Sequence, residues 1–419
     1  MKKSLFAVAA LSAIAGGAQA QSSVTVYGLL DVGYVGSNTR LSTNNTTAAL
    51  TGQSRTTANG FSGKGAENTS RLGFKGTEDL GGGTSAFFTA EFELYPQDQD
   101  LSGGSSATAS PNGILNRQTF VGLKKNGLGQ AAMGLQYTPI FNLAAATDPG
   151  QLNNVIGNVI YQASGYAKDN ANNGYTAGFT NRTANTLSFK TDNFSGLTVS
   201  GIYTLANSNA TVQTSSSGGS TNASGWGLAA DYTWNKLYVG GAIQQLKQLT
   251  YAQTVAGTSV TNNVPWSGAA PAAGVNTTGG VGVLTQNGLN VQDNQYLVGA
   301  TYDFGILKAY AQYVSRTASA TQNSNYYVKR TSEQIGVRSF VTPTVEAWAS
   351  AGLGRYSAMG TSNPTANFNA WQLGSNYYLS KRTNLYAIYG QQVQSTAAYA
   401  TTTVSSSASM YALGLRHTF

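Results

Sequence analysis

The sequence contains no cysteine and a single histidine, His417. A chain without cysteine forms no disulfide and offers no thiolate as a nucleophile or metal ligand. One histidine cannot make a histidine-rich zinc site, and a serine hydrolase would have to use His417 as its general base. His417 lies on an apolar face close to the last residue, which makes it a poor base. We therefore expect a protein that is not an enzyme, with no catalytic residues, no metal site and no cofactor.

Charged residues and long apolar runs are also scarce. Charged residues make up 10% of the chain, and beyond residue 20 no apolar run approaches the length of a transmembrane helix, about 18 residues. Glycine, serine, threonine and asparagine are abundant, and they disfavour helix interiors. The mean hydropathy of −0.19 does not argue against a membrane location, because a transmembrane barrel carries its apolar residues at alternate positions.

The first twenty residues have the pattern of an export signal. Lys2 and Lys3 precede a short apolar run at 5–15, and Ala18-Gln19-Ala20 is typical of a cleavage site. We predict that 1–20 is a cleaved signal peptide and that 21–419 forms a single domain. Loss of the two lysines lowers the formal net charge from +8 to +6. Export, and the lack of a basic cluster interleaved with aromatics, argue against nucleic acid as a partner.

The last nine residues display a pattern that recurs along the chain. Apolar side chains alternate with small or polar ones there, which predicts a β-strand with one apolar face. Sixteen segments have this character, and short and long connections alternate between them. The segments are 24–34, 70–76, 84–95, 114–125, 129–137, 183–191, 197–206, 225–234, 236–249, 292–303, 306–316, 330–340, 344–355, 368–379, 384–394 and 410–419.

This pattern predicts an all-β fold, a transmembrane antiparallel 16-stranded β-barrel. Strands can cross lipid only as a closed sheet, and an even strand count places all short turns at one rim and all long loops at the other. Sixteen strands enclose a lumen too wide for side chains to fill, so the apolar face must point outward to lipid. Closure requires the last strand to pair with the first, which places Phe419 at the periplasmic rim.

Several motifs resemble the general porins of Gram-negative bacteria, of the neisserial and β-proteobacterial type. The most specific is the segment 70–83, and four weaker ones occur in the expected order at 26–31, 116–123, 379–383 and 413–419. The resemblance implies a homotrimer in the cell outer membrane, in contact with lipid and lipopolysaccharide, through which small ions and hydrophilic solutes diffuse. Many members favour anions. It also implies that the terminal phenylalanine is a signal to the barrel-assembly machinery.

The resemblance further implies that the third long loop, here about 138–182, folds into the barrel and narrows the pore. The length of this segment independently suggests a functional loop. Alternation places Arg71 and Lys75 on the face opposite Leu72 and Phe74. We therefore predict that Arg71 and Lys75 point into the lumen and belong to the constriction.

Three more charges are candidates for the constriction. Arg117 stands where the family pattern has a wall arginine, but it shares its alternation phase with Val121, so a lumenal position requires a β-bulge. Arg182 lies where the inserted loop rejoins the wall, and Asp148 is the clearest acid in the loop. A cationic wall opposite an acidic loop would create a transverse field across the narrowest water and set the ion preference.

One departure from the family weakens this expectation of an anion preference. Many relatives carry an arginine in place of Leu135 and an aspartate in place of Thr138.

Two other functions also stay open. A substrate-specific channel would need an ordered aromatic track, and only Tyr310 and Tyr378 are clearly lumenal by phase. An adhesin or structural barrel would use the external loops, which are rich in serine, threonine and asparagine.

The acids Glu91, Glu93, Asp98 and Asp100 offer the oxygen ligands that calcium prefers. Their spacing fits the end of a strand and the following loop equally well. We favour the strand end and predict no metal site there.

Overall fold

The computed structural model describes residues 23–45, 52–97, 115–161, 181–210, 219–252, 291–320, 327–359, 365–399 and 402–419. The predicted signal peptide, Asp98 and Asp100 lie outside these ranges. The described residues form seventeen strands and one helix. The elements are β1 (Ser23–Asn45), β2 (Gly52–Ser62), β3 (Arg71–Gly81), β4 (Thr84–Glu93), β5 (Asn116–Lys125), β6 (Gly129–Tyr137), α1 (Pro139–Thr147), β7 (Arg182–Thr191), β8 (Leu197–Ala210), β9 (Gly219–Trp234), β10 (Leu237–Ala252), β11 (Val291–Asp303), β12 (Lys308–Ala320), β13 (Tyr327–Phe340), β14 (Val345–Met359), β15 (Thr365–Tyr378), β16 (Thr383–Tyr399) and β17 (Thr402–Thr418).

The strands form one sheet that closes on itself. From β3 to β17 each strand pairs antiparallel with the next, and β1 pairs with β17 in a register that begins at Leu29 opposite Thr418. Beyond this ladder, Phe419 and Gly28 exchange two backbone hydrogen bonds of 3.1 Å. The predicted pairing of the last strand with the first is therefore confirmed. It satisfies the two edges that an open sheet would present to lipid.

Seventeen strands occupy sixteen positions around the barrel, because β2 and β3 share one. The lower part of β1 pairs with β3, and its upper part, from Gly33 to Thr43, pairs with β2. In the predicted strand order, a long connection expected to be a surface loop separates the strands 24–34 and 70–76; that expectation is wrong over much of 37–69, which forms strand. Its composition suggested a loop, yet threonine fits strands well and the pairing satisfies the backbone of both partners.

The two faces of the sheet separate as the alternation predicts. On β17, Leu413 is 55% exposed on the outer face while Ala412 is fully buried on the inner one. Trp226 and Trp234 are eight residues apart on the outer face of β9, which corresponds to roughly 26 Å of strand. This separation matches an apolar belt about 25 Å tall with an aromatic girdle at each interface. Other exposed aromatics on the outer face include Tyr203, Tyr232, Tyr296, Tyr302, Phe304, Tyr313, Tyr377, Tyr389, Tyr411 and Phe419.

No helix in the described ranges combines the length and the apolar character needed to cross a membrane. The helix α1 has nine residues and follows β6 directly. The sequence did not predict this helix, because residue types that disfavour helices dominate the composition.

The closing contact at the carboxyl terminus gives a first test. Deleting Phe419 removes both hydrogen bonds to Gly28 but leaves the ladder between β1 and β17. We expect the yield of folded barrel to fall more than the conductance of the molecules that do assemble. Gel migration with and without heating measures the folded fraction, and bilayer recording measures conductance. The variant Phe419→Tyr, which keeps a ring and the backbone bonds, serves as the control; an unchanged yield after deletion would contradict this prediction.

Candidate functional site

The chain enters the barrel immediately after β6. Thr138 caps α1, since its hydroxyl oxygen accepts a hydrogen bond from the backbone nitrogen of Phe141 at 3.3 Å, and Pro139 occupies the first turn. Ile140, Leu143 and Ala144 are buried against the inner wall formed by β9 to β12. The described part of the third long loop, 138–161, is therefore folded inward, as expected.

Glutamine side chains on the inner wall hold this loop in place. On β12, the Gln312 amide donates to the carbonyl oxygen of Ala144 at 2.8 Å and to the hydroxyl of Thr147 at 2.7 Å. On β13, the Gln334 side-chain oxygen accepts from the backbone nitrogen of Val159 at 3.1 Å. Both glutamines are buried. Without these bonds the loop groups would be buried without partners, and each unpaired group would destabilise the fold by about 1–3 kcal/mol.

A third glutamine, Gln372 on β15, binds the middle of the loop. Its amide nitrogen donates to the carbonyl oxygens of Val155 and Ile156 at 2.7 and 3.0 Å, and it exchanges two side-chain bonds of 2.9 Å with Asn153. On the next strand, a side chain at Gly390 would overlap the carbonyl oxygen of Ile156. The wall thus combines long amide donors with a position that lets the loop backbone approach closely.

Two arginines of β13 extend this attachment. Arg338 donates to the carbonyl oxygen of Pro149 at 2.6 Å and pairs with Glu346 at 2.5 Å. Arg330 donates to the carbonyl oxygens of Val159 and Ile160. Strand β13 therefore binds the loop at its middle, through Pro149, and at the end of its described part, through Val159 and Ile160.

Asp148, a predicted constriction acid, lies inside this interface. Its carboxylate accepts hydrogen bonds from the backbone of Leu152 at 2.8 Å, from Asn158 at 2.9 Å and from Gln334 at 2.7 Å. The residue is 1% exposed. Burial raises the pKa of the Asp148 carboxyl to about 6, although all three donors favour its charged form. The carboxylate thus faces loop and wall groups rather than open water.

Arg117 and Arg182 meet on the inner wall formed by β5 to β7. Asn116 and Gln118 face consecutive residues of β4, so Arg117 is the extra residue of a β-bulge. The bulge that a lumenal Arg117 requires is therefore present. Arg117 donates to Glu91 at 2.8 Å, and Arg182 donates to the carbonyl oxygen of Arg117 at 3.0 Å.

Aromatic rings support these two arginines. The Tyr137 hydroxyl accepts from Arg117 at 2.7 Å, and the Arg182 guanidinium lies 5.5 Å from the centre of the Tyr137 ring. Phe141 of α1 stacks on the Tyr137 ring, with the two ring centroids 4.5 Å apart. The stack joins the start of the inserted loop to the part of the inner wall that carries Arg117 and Arg182. We call this part, together with Arg71 on β3, the arginine wall.

Arg71 and Lys75 face the lumen from β3, as their alternation predicts. Arg71 donates to the side chain of Asn68 and lies 3.8 Å from Glu91. The Lys75 ammonium is exposed and lies 5.3 Å from the centre of the Tyr27 ring. The structure thus places Arg71, Arg117 and Arg182 around Glu91 and Tyr137, with Lys75 beside them.

Sequence reasoning missed a second segment that bends into the barrel, residues 63–70 between β2 and β3. Asn68 donates its backbone N–H to Asp31 at 2.6 Å, and Glu67 accepts from Asn384 at 3.0 Å. The carbonyl oxygen of Ala66 accepts from the backbone of Asn154 in the inserted loop at 2.8 Å. Segment 63–70 therefore connects the loop to the wall near the closing strands. The available signal in the sequence was Glu67 close to Gly63 and Gly65, a lone acid in a glycine-containing stretch.

Among the described residues, no group of three or more histidine, cysteine, aspartate or glutamate side chains could hold a metal ion. Glu91 and Glu93, considered above as calcium ligands, face Arg117 at 2.8 and 3.8 Å. These acids neutralise part of the arginine wall.

A closed barrel with an apolar outer belt, a polar inner face and a loop packed inside has the architecture of a transmembrane β-barrel channel. A family model described as Gram-negative porin matches residues 7–397, and the chain belongs to this family. It is an outer-membrane protein that forms a water-filled channel for passive diffusion of small hydrophilic solutes and ions.

Individual relatives agree with this assignment. The chain is 25% identical to an outer membrane porin protein of Bordetella pertussis over 95% of both chains. It is 32% identical to outer membrane porin protein 32 of Delftia acidovorans, over 66% of this chain and 77% of that one. An anion-selective porin from Comamonas acidovorans has a similar fold, with a TM-score of 0.62 at 21% identity, over 95% of this chain and 100% of that one.

The Gln372 contacts generate a second test. Replacing Gln372 by alanine leaves two buried loop carbonyls without their donor, so we expect a loss of about 2–4 kcal/mol in stability. Single-channel recordings should show larger and noisier conductance, because the loop is less firmly held. Gln391→Ala changes the same residue type on the outer face of β16 and is the matched control. Identical recordings from the two variants would contradict the anchoring role.

The buried Asp148 predicts a pH dependence of stability. Its folded pKa of about 6 exceeds that of an unfolded aspartate, about 3.9, so the folded state binds the proton more tightly. The resulting stabilisation is complete below about pH 4 and is lost as the pH rises through 6. We expect the melting temperature of the wild type to fall relative to that of Asp148→Asn between pH 5 and 7. A difference that stays constant across this range would refute the assignment.

Proposed function

We propose that this porin prefers anions and that Arg71, Lys75, Arg117 and Arg182 set the preference at the constriction. The observation that carries the proposal is the imbalance of charge between the wall and the loop. The arginines converge on one wall, whereas the only charged residue in 138–161 is Asp148, which is buried.

A charge count supports this view. The four basic residues carry four formal positive charges, and Glu91 and Glu93 carry two negative ones, which leaves a net charge of +2. Arg117 and Glu91 are buried together at 2.8 Å, so their charges largely cancel at short range. Arg71, Arg182 and Lys75 retain contact with the lumen. The field therefore comes from one side of the pore instead of acting between opposed charges.

The role proposed for Asp148 changes accordingly. In place of an acid that faces the arginines across water, it is a buried acceptor that fixes the loop against β13. The missing charges at Leu135 and Thr138 fit this arrangement, because Thr138 acts as the cap of α1. The fold of the anion-selective porin from Comamonas acidovorans supports the same ion preference.

The assembly follows the family pattern. The protein is a homotrimer, with lipid and lipopolysaccharide against its apolar belt, and the barrel-assembly machinery acts on β17 and Phe419. The many buried bonds between the loop and the inner wall support transport over a purely adhesive or structural role, which would not need an anchored loop in the lumen.

A salt gradient tests the ion preference. With a tenfold KCl gradient across a planar bilayer, the reversal potential should have the sign of chloride selectivity. Arg71→Gln should lower the anion-to-cation permeability ratio about two- to fourfold, since a charge about 5 Å from a passing ion contributes roughly 0.8 kcal/mol in water. Arg355→Gln on the exposed outer face of β14 is the control. Cation selectivity in the wild type would overturn the proposal, and no shift in Arg71→Gln would remove Arg71 from the constriction.

A further inference from the structure

Two phenylalanines face the lumen outside the apolar cluster that the inserted loop forms with the wall. On β4, Phe88 is exposed on the outer face, so Phe87 points inward. On β5, Val121 and Leu123 are 61% and 56% exposed on the outer face, so Phe120 also points inward. Both inward rings are partly exposed. An apolar ring on the wall of an aqueous channel gains little from burial, which points to a use in recognition.

The two rings form a shaped surface. Their centroids are 6.3 Å apart and their planes are inclined at 77°, an edge-to-face arrangement. Gly122 faces Phe87 across the strand pair, and a Cβ atom there would lie 2.6 Å from the tip of the Phe87 ring. Glycine at this position lets the Phe87 ring lie against the wall. The edge-to-face pair leaves an open aromatic face toward the lumen.

Lysines surround this aromatic pair. Lys75 pairs in register with Thr89, which in turn pairs with Phe120. Lys124 lies four residues beyond Phe120 on the same face of β5. Gln130 of β6 pairs in register with Lys124 on one side and with Lys190 of β7 on the other. The acids Asp79 and Glu91 also face this part of the lumen. Glu91 already accepts hydrogen bonds from Arg117 and Tyr27, and Asp79 binds the turn through Gly81.

We propose that Phe87 and Phe120, with Lys75 and Lys124, form a binding site for small aromatic carboxylates on the periplasmic side of the arginine wall. The ring of such an anion packs against the phenylalanine pair, and its carboxylate pairs with one of the lysines. In the register Lys75 is level with Phe120, and Lys124 lies two residues beyond the level of Phe87, so an anion leaving the arginines meets a cation at each end of the aromatic surface. This inference rests on the proposed anion preference and assigns that preference a substrate class.

The site can be probed by competition with chloride current. Benzoate and cyclohexanecarboxylate have the same charge and similar size, but only benzoate has an aromatic ring. In symmetric KCl at pH 7, each is added to one side of a planar bilayer, and the concentration that halves the blockable part of the single-channel current is measured. We expect benzoate to block at about a three- to tenfold lower concentration, as aromatic contacts of this kind provide.

Variants separate this site from the general attraction for anions. The double variant Phe87→Leu and Phe120→Leu keeps apolar volume and should bring the two half-blocking concentrations within a factor of about two. Phe88→Leu on the lipid-facing side of β4 is the matched control and should keep the wild-type difference. If the double variant does not assemble, Phe120→Leu alone must reduce the difference at least by about half.

Equal block by benzoate and cyclohexanecarboxylate in the wild type, or an undiminished difference in the leucine variant, would overturn the proposed site. Either result can occur while the KCl reversal potential still indicates anion selectivity, in which case the proposed function stands and only the aromatic site fails. Cation selectivity in the salt gradient would instead overturn the proposed function itself.

Discussion

The need to pair every backbone polar group within lipid is the constraint on which the rest of this structure depends. It forces the strands into a closed sheet, and the ladder between β1 and β17 with the Phe419–Gly28 bonds completes that closure. Closure fixes which residues face lipid and which face the lumen. The wide lumen then cannot be filled by side chains, so water fills it, and only chain folded in from outside the sheet can narrow it.

The inserted loop raises the same requirement inside the barrel. Its backbone leaves water when it packs on the wall, and its carbonyl and amide groups need new partners. Gln312, Gln334 and Gln372 supply them from three different strands, and Asp148 supplies acceptors from the loop side. The wall from β12 to β15 is thus committed to holding the loop. On the opposite wall Arg71 and Arg182 remain partly exposed to the lumen, and we propose that this wall sets the ion preference.

Much of the barrel could be predicted from alternation, because each strand residue can point only inward or outward. That rule placed Arg71 and Lys75 in the lumen, and it showed that Arg117 needs the bulge that β4 and β5 contain. Alternation gives a direction but not a partner, so it could not reveal that the Asp148 carboxylate turns into the wall. The helix α1 was missed although Thr138-Pro139 is a recognisable start. Strand β2 was missed because its serine and threonine residues resemble a loop until their pairing with β1 is known.

We infer that the anchored loop narrows the barrel without closing it, which leaves a permanent aqueous path. Single-channel recording of purified, folded protein in a planar bilayer tests this most directly. We expect discrete, long-lived conductance steps of equal size, grouped in threes as the subunits of a trimer insert together. Folded trimers that enter the bilayer and give no conductance would contradict it.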